Sequence, residues 1–467
     1  MKPFHLALTL AVGVSALAFE AVQAQDTAPA PASKQAAAVQ PDWSPSGWPD
    51  RIVLTPAADA STGLSVSWRT DARQIEALAE IAPAIGSPAV EMNAQPVSGV
   101  TVSGVERGGQ GLYHSARFTG LTPGRAYVYR VKGADGWSEW LTLRTAEAGE
   151  SPFRILYFGD TQNNILAKGA RTIRQGLLRT SPDVVVHAGD LTGRSRDWEW
   201  GEWTAAGGFG FAMVPQIPAA GNHEYSDDDN GQRQLGPLWS AQFALPANGV
   251  ASGAAQPTSY YTDYQGVRFI VLDGTAALDL GALDAQTQWL DATLASSRAR
   301  WHIVVQHQPI YTCARPRDTE ALKAAWEPIY RARRVDMVLQ GHDHCYSRIT
   351  DGAGAAASDG NREAGVPQGP VYLVSVAGPK MYGLNDRSGT QPDRVAADTQ
   401  LYQTIDVTQG RLTFRAYTAA GDLYDAFELT RQADGSNRLT ESEHLPSLRL
   451  CRDGAGPDGG ECIGSPK

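Results

Sequence analysis

Short runs of alternating apolar and polar residues occupy the first part of the chain, from about residue 43 to residue 144. Examples are residues 51–54, 64–68, 115–118 and 126–131, with turn residues between them. Successive side chains of a strand point to opposite faces, so this alternation leaves one face of each strand apolar. Short strands at this spacing predict a β-sandwich of about 100 residues.

After residue 152 the pattern changes to continuous apolar runs that alternate with segments of helical periodicity. Residues 153–158 and 183–187 are two such runs, with a predicted helix at 167–179 between them. A strand buried on both faces gives a continuous run, and alternation of strand and helix favours a largely parallel sheet. The fold class is therefore α/β, with the sandwich in front. Further strands are predicted at 267–272, 301–306, 335–339 and within 401–429, and a further helix at about 284–296.

Composition limits the class of protein. The chain has 467 residues, 42% hydrophobic and 19% charged, which is enough for a large core and two or three domains. The formal charge of -10 argues against a nucleic acid as a stable partner, because phosphate backbones are bound by clustered Lys and Arg. A small phosphorylated substrate is compatible with this charge, since metal ions attract an anion locally.

The first residues have the features of a secretory signal. Lys2 is positive, residues 6–19 form an apolar run shorter than the ~20 residues of a membrane span, and Val22-Gln23-Ala24 resembles a cleavage site. We expect removal after Ala24 and a secreted or periplasmic protein without a membrane segment; an uncleaved anchor is the alternative. The predicted regions are a signal peptide 1–24, a disordered linker 25–42, a sandwich 43–148, a second domain 152–430 and a C-terminal tail 431–467.

Polar side chains follow several predicted strands directly. The motif Gly341-His342-Asp343-His344 comes after the run 335–339, and side chains two apart in extended backbone point the same way, so His342 and His344 are expected to face one place. Sites of open α/β sheets assemble at the carboxyl ends of the strands. Residues in such positions are Asp160, Asp190, Asn222, His307, His342 and His344.

These side chains offer carboxylate and amide oxygens together with imidazole nitrogens, a set suited to Zn, Mn or Fe. These six side chains are more than one tetrahedral metal site can use, but they fit two ions about 3.5–4 Å apart that share a carboxylate. Such a centre acidifies a bound water molecule and holds an anionic ester. Each residue alone is equally compatible with a helix cap, a turn or a simple hydrogen bond. The prediction therefore depends on all of them occurring together.

Five motifs in this order resemble the metallophosphoesterase superfamily: Gly159-Asp160-Thr161-Gln162, Gly189-Asp190-Leu191, Gly221-Asn222-His223-Glu224, Val304-Val305-Gln306-His307 and Gly341-His342-Asp343-His344. With a sandwich in front, residues 43–427 are similar to the two-domain purple acid phosphatases. The resemblance implies a fibronectin type III-like domain followed by a four-layer αββα catalytic domain. It also implies two metal ions bridged by Asp190. Asp160 and His344 would hold the first ion, Asn222, His307 and His342 the second, and His223 would bind phosphate or protonate the leaving oxygen.

One departure from that family concerns the first ion. Purple acid phosphatases have a Tyr three positions after the bridging Asp, whose phenolate binds ferric iron and gives the colour; this chain has Gly193. Gln162 stands where other metallophosphoesterases have a His ligand, so its amide oxygen either fills the gap or only hydrogen-bonds the loop. We therefore expect a centre without tyrosinate colour.

Another departure follows His307. The family carries phosphate-facing His residues in the next loop, whereas this chain has Ala314-Arg315-Pro316-Arg317. Arg binds phosphate oxygens but cannot deliver a proton. Arg315 and Arg317 are therefore candidates for substrate binding, with a solvated surface Arg as the alternative for each, and His223 is the general acid.

The four cysteines suggest disulfides in a secreted chain. Cys451 and Cys462 lie close together in the tail and are predicted to close a small loop. Cys313 and Cys345 each follow a motif. A bond between them would tie the His307 loop to the His344 loop, and a thiol ligand is the alternative.

The predicted function is that of a secreted binuclear metallohydrolase that cleaves phosphate monoesters by attack of a metal-bound hydroxide. Two divalent or mixed-valence ions of Fe, Zn or Mn are the expected cofactors, and a small phosphate ester is the expected partner. A phosphodiesterase of the same superfamily is the alternative within the enzyme class. A cell-surface binding protein with a dead catalytic domain is the alternative outside it.

Overall fold

The structure is a computed structural model that describes residues 41–104, 109–228, 230–314, 318–350, 369–385, 392–442, 444–451 and 455–459. The predicted signal peptide and nearly all of the predicted linker lie outside these residues. Within the described ranges, no helix has the length and apolar character needed to cross a membrane.

The N-terminal part forms two small sheets. Its strands are β1 (Asp50–Pro56), β2 (Gly63–Thr70), β3 (Leu78–Pro83), β4 (Gln95–Ser98), β5 (Val100–Ser103), β6 (Leu112–Thr119), β7 (Ala126–Val131) and β8 (Leu141–Arg144). One sheet has the order β1-β2-β6-β5 and the other β4-β3-β7-β8. Alternation decides which side chains lie between them: Tyr127, Tyr129 and Val131 of β7 are buried, whereas the residues that separate them are half-buried. The predicted β-sandwich is confirmed.

The second part contains longer sheets and the helices. Its elements are β9 (Phe153–Phe158), α1 (Ala170–Thr180), β10 (Val184–His187), α2 (Asp197–Gly207), α3 (Phe209–Met213), β11 (Gln216–Pro218), β12 (Tyr225–Asp227), β13 (Arg233–Leu235), α4 (Trp239–Gln242), β14 (Tyr260–Tyr264), β15 (Val267–Val271), α5 (Gly274–Asp279), α6 (Leu283–Ala295), β16 (Trp301–Val305), α7 (Glu320–Ala332), β17 (Met337–Gln340), β18 (Tyr346–Thr350), β19 (Val371–Val374), β20 (Arg394–Ala396), β21 (Leu401–Val407), β22 (Arg411–Thr418), β23 (Leu423–Arg431) and β24 (Asn437–Glu441). The strands and helices predicted here from apolar runs and helical periodicity are all present.

Two sheets pack face to face, with helices outside both. Their orders are β11-β10-β9-β21-β22-β23-β24 and β14-β15-β16-β17-β19-β18-β20. In β9, Ile155 and Tyr157 belong to the core between the sheets, whereas Leu156 and Phe158 pack towards the helices with Trp200 of α2. Both faces of β9 are therefore buried, which explains its continuous apolar run. The four-layer αββα arrangement is confirmed.

The sheets are more mixed than strand and helix alternation indicated. Strands β9, β10 and β11 pair in parallel, and so do β15, β16, β17 and β19. Strands β21 to β24 pair antiparallel, and β21 joins β9 antiparallel. Parallel neighbours need long crossovers, whereas these hairpins need only short turns. The largely parallel sheet expected from the pattern is therefore two mixed sheets, one with its parallel strands at one end and the other with them in the centre.

A buried ion-pair network joins the sandwich to the second part, and the described residues from 43 onwards form one compact unit. Asp197 of α2 accepts hydrogen bonds from Arg51 at 2.8 and 3.0 Å, from Arg69 at 3.2 Å and from the Tyr113 hydroxyl at 2.9 Å. The side chains of Arg51 and Arg69 are 1% and 0% exposed. A buried guanidinium without its carboxylate is strongly unfavourable. Asp197 therefore fixes the sandwich against the helix that follows the Asp190 motif.

Replacing Asp197 by Asn should lower the free energy of unfolding by about 3 kcal/mol, because two buried Arg side chains lose a compensating charge. Guanidinium chloride unfolding measures this. The matched control is Glu428→Gln, which removes the exposed pair with Arg411 and should cost less than about 1 kcal/mol. Equal losses for the two variants would contradict the role given to Asp197.

Candidate metal centre

The predicted ligand residues lie at one end of the two facing sheets. Parallel pairing of β9 with β10 and of β16 with β17 brings the carboxyl ends of these strands to a common edge. The loops that leave this edge carry Asp160 after β9, Asp190 after β10, Asn222 after β11, His307 after β16, and His342 and His344 after β17. Distant parts of the chain therefore meet here.

Two glycines allow the loops to approach closely. A side chain at Gly221 would collide with the Asp190 carboxylate, and a side chain at Gly341 would collide with the Asp160 carboxylate. The residues directly before Asn222 and His342 are thus Gly for lack of space.

Three of the predicted ligands have a left-handed backbone. The φ angles of Asp190, His342 and His344 are 50°, 75° and 50°. Such a conformation costs a residue other than Gly roughly 1–3 kcal/mol and persists at functional sites. The expectation that His342 and His344 share an extended backbone is therefore wrong. The chain turns at both positions, and both rings still reach the site.

One group of donor atoms forms around His307. Its Nε2 lies 3.2 Å from Asp190 Oδ2, 3.2 Å from Asn222 Oδ1 and 3.2 Å from His342 Nδ1. Ligand atoms of Asp190, His307 and His342 all lie within 4.8 Å of one another. These are the residues that the resemblance assigned to the second ion.

A neighbouring group forms around Asp160 and His344. His344 Nε2 lies 3.6 Å from Asp160 Oδ1, and ligand atoms of Asp160, Asp190 and His344 lie within 4.8 Å of one another. Asp190 belongs to both groups, which is the position expected for a bridging carboxylate.

Backbone carbonyl groups orient two of the rings. Because a carbonyl oxygen only accepts, His307 Nδ1 donates to Ala188 O at 2.8 Å and His344 Nδ1 donates to Lys380 O at 3.0 Å. Nε2 of each ring therefore faces the cluster, the orientation that metal-binding His residues have.

The site concentrates charge in a buried place. Burial raises the pKa of Asp160 to about 7, and the Asp190 carboxylate adds to this rise. Burial also favours a higher pKa for Asp190, but the imidazoles of His307, His223 and His342 outweigh it and lower that pKa below its usual range. Burial disfavours charged His307, yet the two carboxylates raise its pKa to about 9. Burial first and Lys380 second lower the pKa of His344 to about 3.

Two buried oxygens at the site accept no hydrogen bond. They are Asp160 Oδ1 and Gln162 Oε1, and both residues are fully buried. A buried carboxylate oxygen without a partner is costly. Cations would satisfy it, and the mixed oxygen and nitrogen donors suit Zn, Mn or Fe. The residues present therefore fit a pair of cations.

Gln162 lies within the cluster. Its amide nitrogen lies 2.9 Å from Asp190 Oδ2 and 3.1 Å from His344 Nε2. The side chain thus contacts two predicted ligands through nitrogen, while its oxygen has no partner. Its role as a ligand stays a prediction.

His223 lies at the open side of the cluster. Its backbone N–H donates to Asp190 Oδ1 at 2.8 Å, and its Nδ1 donates to the Gly193 carbonyl. Nε2 is 4.0 Å from Asp190 Oδ2, and the side chain is 31% exposed. The ring is thus fixed through one nitrogen and presents the other.

Sequence reasoning missed Glu224, which locks two motif loops together. Its buried carboxylate accepts from the backbone N–H groups of Asp190 at 2.8 Å, Thr192 at 3.1 Å and Gly221 at 2.9 Å. The feature of the sequence that could have indicated its role is its position directly after Asn222-His223. Asp343 was also missed, although it stands between two predicted ligands.

A disulfide and Asp343 tie the His307 side of the site to the His344 side. Cys313 and Cys345 are bonded, so the predicted pairing is confirmed and the thiol-ligand alternative is wrong. Asp343 Oδ2 accepts from the N–H groups of Cys313 at 2.6 Å and Ala314 at 3.0 Å. Both connections fix residues 313–314 against the loop that carries His342 and His344.

Three further candidates lie outside the described residues. They are Arg315 and Arg317, proposed for substrate binding, and Cys462, the predicted partner of Cys451. Their roles stay predictions.

The double variant Cys313→Ser/Cys345→Ser should lose roughly 2–4 kcal/mol of stability, because an unlinked unfolded chain has more freedom. Its affinity for Mn²⁺ or Zn²⁺, measured by titration calorimetry, should fall because the His residues lose their fixed spacing. Asp343→Asn, which keeps one acceptor oxygen, should lie between this variant and wild type. Unchanged cation affinity in the double variant would contradict a role of the bond in the site.

Comparisons with known proteins agree with this geometry. The family model described as Calcineurin-like phosphoesterase matches residues 153–346, and that of the purple acid phosphatase N-terminal domain matches residues 49–145. Purple acid phosphatase 15 of Arabidopsis thaliana is 27% identical over 301 residues, 56% of this chain and 53% of the relative. Probable inactive purple acid phosphatase 24 of the same plant is 26% identical over 407 residues, 76% of this chain and 64% of the relative. The chain thus spans less than two thirds of each relative.

A solved structure shows the same fold. Purple acid phosphatase PPD1 from yellow lupin (Lupinus luteus) seeds superposes with a TM-score of 0.67 at 20% identity, over 83% of this chain and 75% of that chain. The fold and the clustered donors define a calcineurin-like phosphoesterase domain. Because a purple acid phosphatase N-terminal domain precedes it, the chain has the two domains that these models describe and is similar to purple acid phosphatases.

Proposed function

We propose that the protein is a metal-dependent phosphatase that hydrolyses phosphate monoesters. The observation that carries this proposal is the pair of donor groups that share Asp190, with the His223 ring beside them. The matching phosphoesterase domain and the relative named a purple acid phosphatase support the same chemistry.

In this proposal Asp160 and His344 would hold one cation, Asn222, His307 and His342 would hold the other, and Asp190, which belongs to both groups of donors, would contribute to both. When bound, two cations acidify a water molecule and neutralise the charge of a phosphate ester. The side chains of the protein position these groups. Glu224 holds the Asp190 and Asn222 loops together, so the spacing of the donors is set by buried hydrogen bonds.

His223 supplies the proton. Its Nδ1 is committed to the Gly193 carbonyl, so Nε2 is the atom that can reach the substrate. A proton given from Nε2 to the leaving oxygen turns a poor alkoxide leaving group into an alcohol. His223 is thus a catalytic residue of the proposed reaction and not a ligand.

The proposed centre has no phenolate. A side chain at Gly193 would begin 2.7 Å from Glu199 Oε1 and 3.0 Å from Asn163 Oδ1. Glu199 in turn accepts from the backbone N–H groups of Arg194 and Arg196 at 2.9 and 3.0 Å. Glu199, which holds the start of α2, therefore occupies the volume that a Tyr side chain would need.

Two functions other than that of a monoesterase are considered. A phosphodiesterase would use the same donors and differ in the shape of its cleft. A non-catalytic protein is suggested by the relative named probable inactive. The assembled donor groups and the oriented His223 favour catalysis over that alternative.

A secreted or periplasmic location is supported by the Cys313–Cys345 bond, because disulfides persist in oxidising compartments.

Asp190→Asn should lose both cations and the turnover of p-nitrophenyl phosphate together, because each group of donors loses its shared member. His223→Gln should keep both cations and lose about 100-fold or more in kcat for an alkyl phosphate, whose alkoxide needs the proton, and less for p-nitrophenyl phosphate, whose phenolate leaves readily. Elemental analysis and kinetics measure the two effects. Full turnover of p-nitrophenyl phosphate by Asp190→Asn, or full turnover of the alkyl phosphate by His223→Gln, would contradict the assigned roles. Faster hydrolysis of the bis-ester than of the monoester would favour the phosphodiesterase.

Metal-loaded protein should show no intense visible absorption band, since Gly193 stands where the coloured enzymes have the Tyr ligand. Gly193→Tyr should be less stable than wild type and should stay uncoloured, because Glu199 blocks the new side chain. Absorption spectra of the iron-loaded proteins are the measurement. A strong band in wild type would show that another phenolate binds the metal.

A further inference from the structure

The loop after β19 forms one wall of the metal centre. Its backbone joins the motif loops: Gly378 N–H donates to Asp160 O at 2.6 Å, and Tyr382 N–H donates to His344 O at 3.1 Å. Lys380 O, in the same loop, accepts from His344 Nδ1. The side chains of Lys380 and Tyr382 are half-buried, so they lie neither in the core nor fully in solvent.

Aromatic contacts hold the Lys380 side chain beside the centre. The Tyr382 ring meets the His344 ring edge to face, with 4.8 Å between their centroids. The Lys380 ammonium lies 5.2 Å from the centroid of the Tyr382 ring. A cation over an aromatic face is stabilised and loses little of its charge. The Tyr382 ring thus contacts both the ammonium group and His344, a predicted metal ligand.

In the part of the chain that the structure describes, this positive charge is not compensated by a carboxylate. Among the described residues, no Asp or Glu lies within ion-pair distance of Lys380, whereas Arg233 near the same site pairs with Asp279 and donates to Asn222 O. An ammonium beside a site for two cations is repelled when they bind. An anion that contacts both the cations and the ammonium removes this repulsion.

We propose that Lys380, held by Tyr382, binds the phosphoryl group of the substrate and favours phosphate monoesters over diesters. This inference rests on the proposed phosphatase function. A monoester carries close to two negative charges at neutral pH, whereas a diester carries one. An additional cation therefore gains more from the monoester than from the diester. Lys380 is a specificity-determining residue in this account, and Tyr382 is a positioning residue.

The experiment measures the binding of inorganic phosphate to the metal-loaded protein by titration calorimetry. Lys380→Met should weaken phosphate binding about 10-fold or more, as expected for the loss of a charge-assisted contact. Lys380→Arg should restore most of the affinity. Tyr382→Leu should weaken binding less than Lys380→Met, because the charge stays but its position is no longer fixed.

Lys132→Met is the matched control. The Lys132 ammonium also lies over an aromatic ring, 5.1 Å from Trp137, but it lies in the sandwich. This variant should bind phosphate like wild type, and all variants should retain two cations by elemental analysis. In kinetics, Lys380→Met should raise KM for p-nitrophenyl phosphate by a larger factor than KM for bis(p-nitrophenyl) phosphate.

The outcomes separate this inference from the proposed function. Wild-type phosphate affinity in Lys380→Met, or loss of cations in that variant, would overturn the role of Lys380 even if the protein is a phosphatase. Equal factors in KM for the two esters would overturn the preference for monoesters. If the wild-type protein binds phosphate and hydrolyses neither ester, the function fails, and the calorimetric comparison still decides whether Lys380 binds the anion.

Discussion

The burial of two carboxylates side by side is the constraint on which the rest of the structure depends. Asp160 and Asp190 are 0% and 1% exposed and lie at the edge where two sheets meet. Their mutual repulsion and the loss of hydration disfavour this arrangement in the absence of positive charge. Imidazoles supply part of that charge, and Asp160 Oδ1 still accepts no hydrogen bond. Bound cations would therefore stabilise the site by compensating these negative charges.

The surrounding structure holds this unfavourable arrangement in place. Left-handed backbone at three predicted ligands, buried Glu224 and the Cys313–Cys345 bond all restrict loops that would otherwise separate. The sandwich contributes from outside, because Asp197 anchors the helix that follows the Asp190 motif. Rigidity of this kind keeps donor atoms at ligand spacing before a cation arrives, which is the usual requirement of a preorganised metal site.

Much of the fold could be predicted because buried apolar residues recur along the sequence with the spacing of the strand or helix that contains them. The apolar run 153–158 coincides with β9, and the alternating run 126–131 coincides with β7. The mixed direction of the sheets could not be read from apolar runs, because such runs record burial and not the direction of the neighbouring strand. The two facing sheets were expected only through the resemblance to a known family.

The predicted ligands meet in space, but the way they meet was not predictable from spacing. His342 and His344 reach the site through turns and not through extended backbone, since φ depends on neighbours distant in sequence. Glu224 and Asp343 were missed because their partners are backbone N–H groups, which leave no pattern in the sequence. Lys380 and Tyr382 were missed because only the folded loop places them beside His344.

The most direct test of the central claim is anomalous diffraction from crystals of the protein loaded with Mn²⁺ or Zn²⁺. Two anomalous peaks about 3.5–4 Å apart are expected. One peak should lie next to Asp160 and His344 and the other next to Asn222, His307 and His342, with Asp190 between them. A single peak, or peaks that do not contact Asp190, would rule out a pair of cations that share this carboxylate.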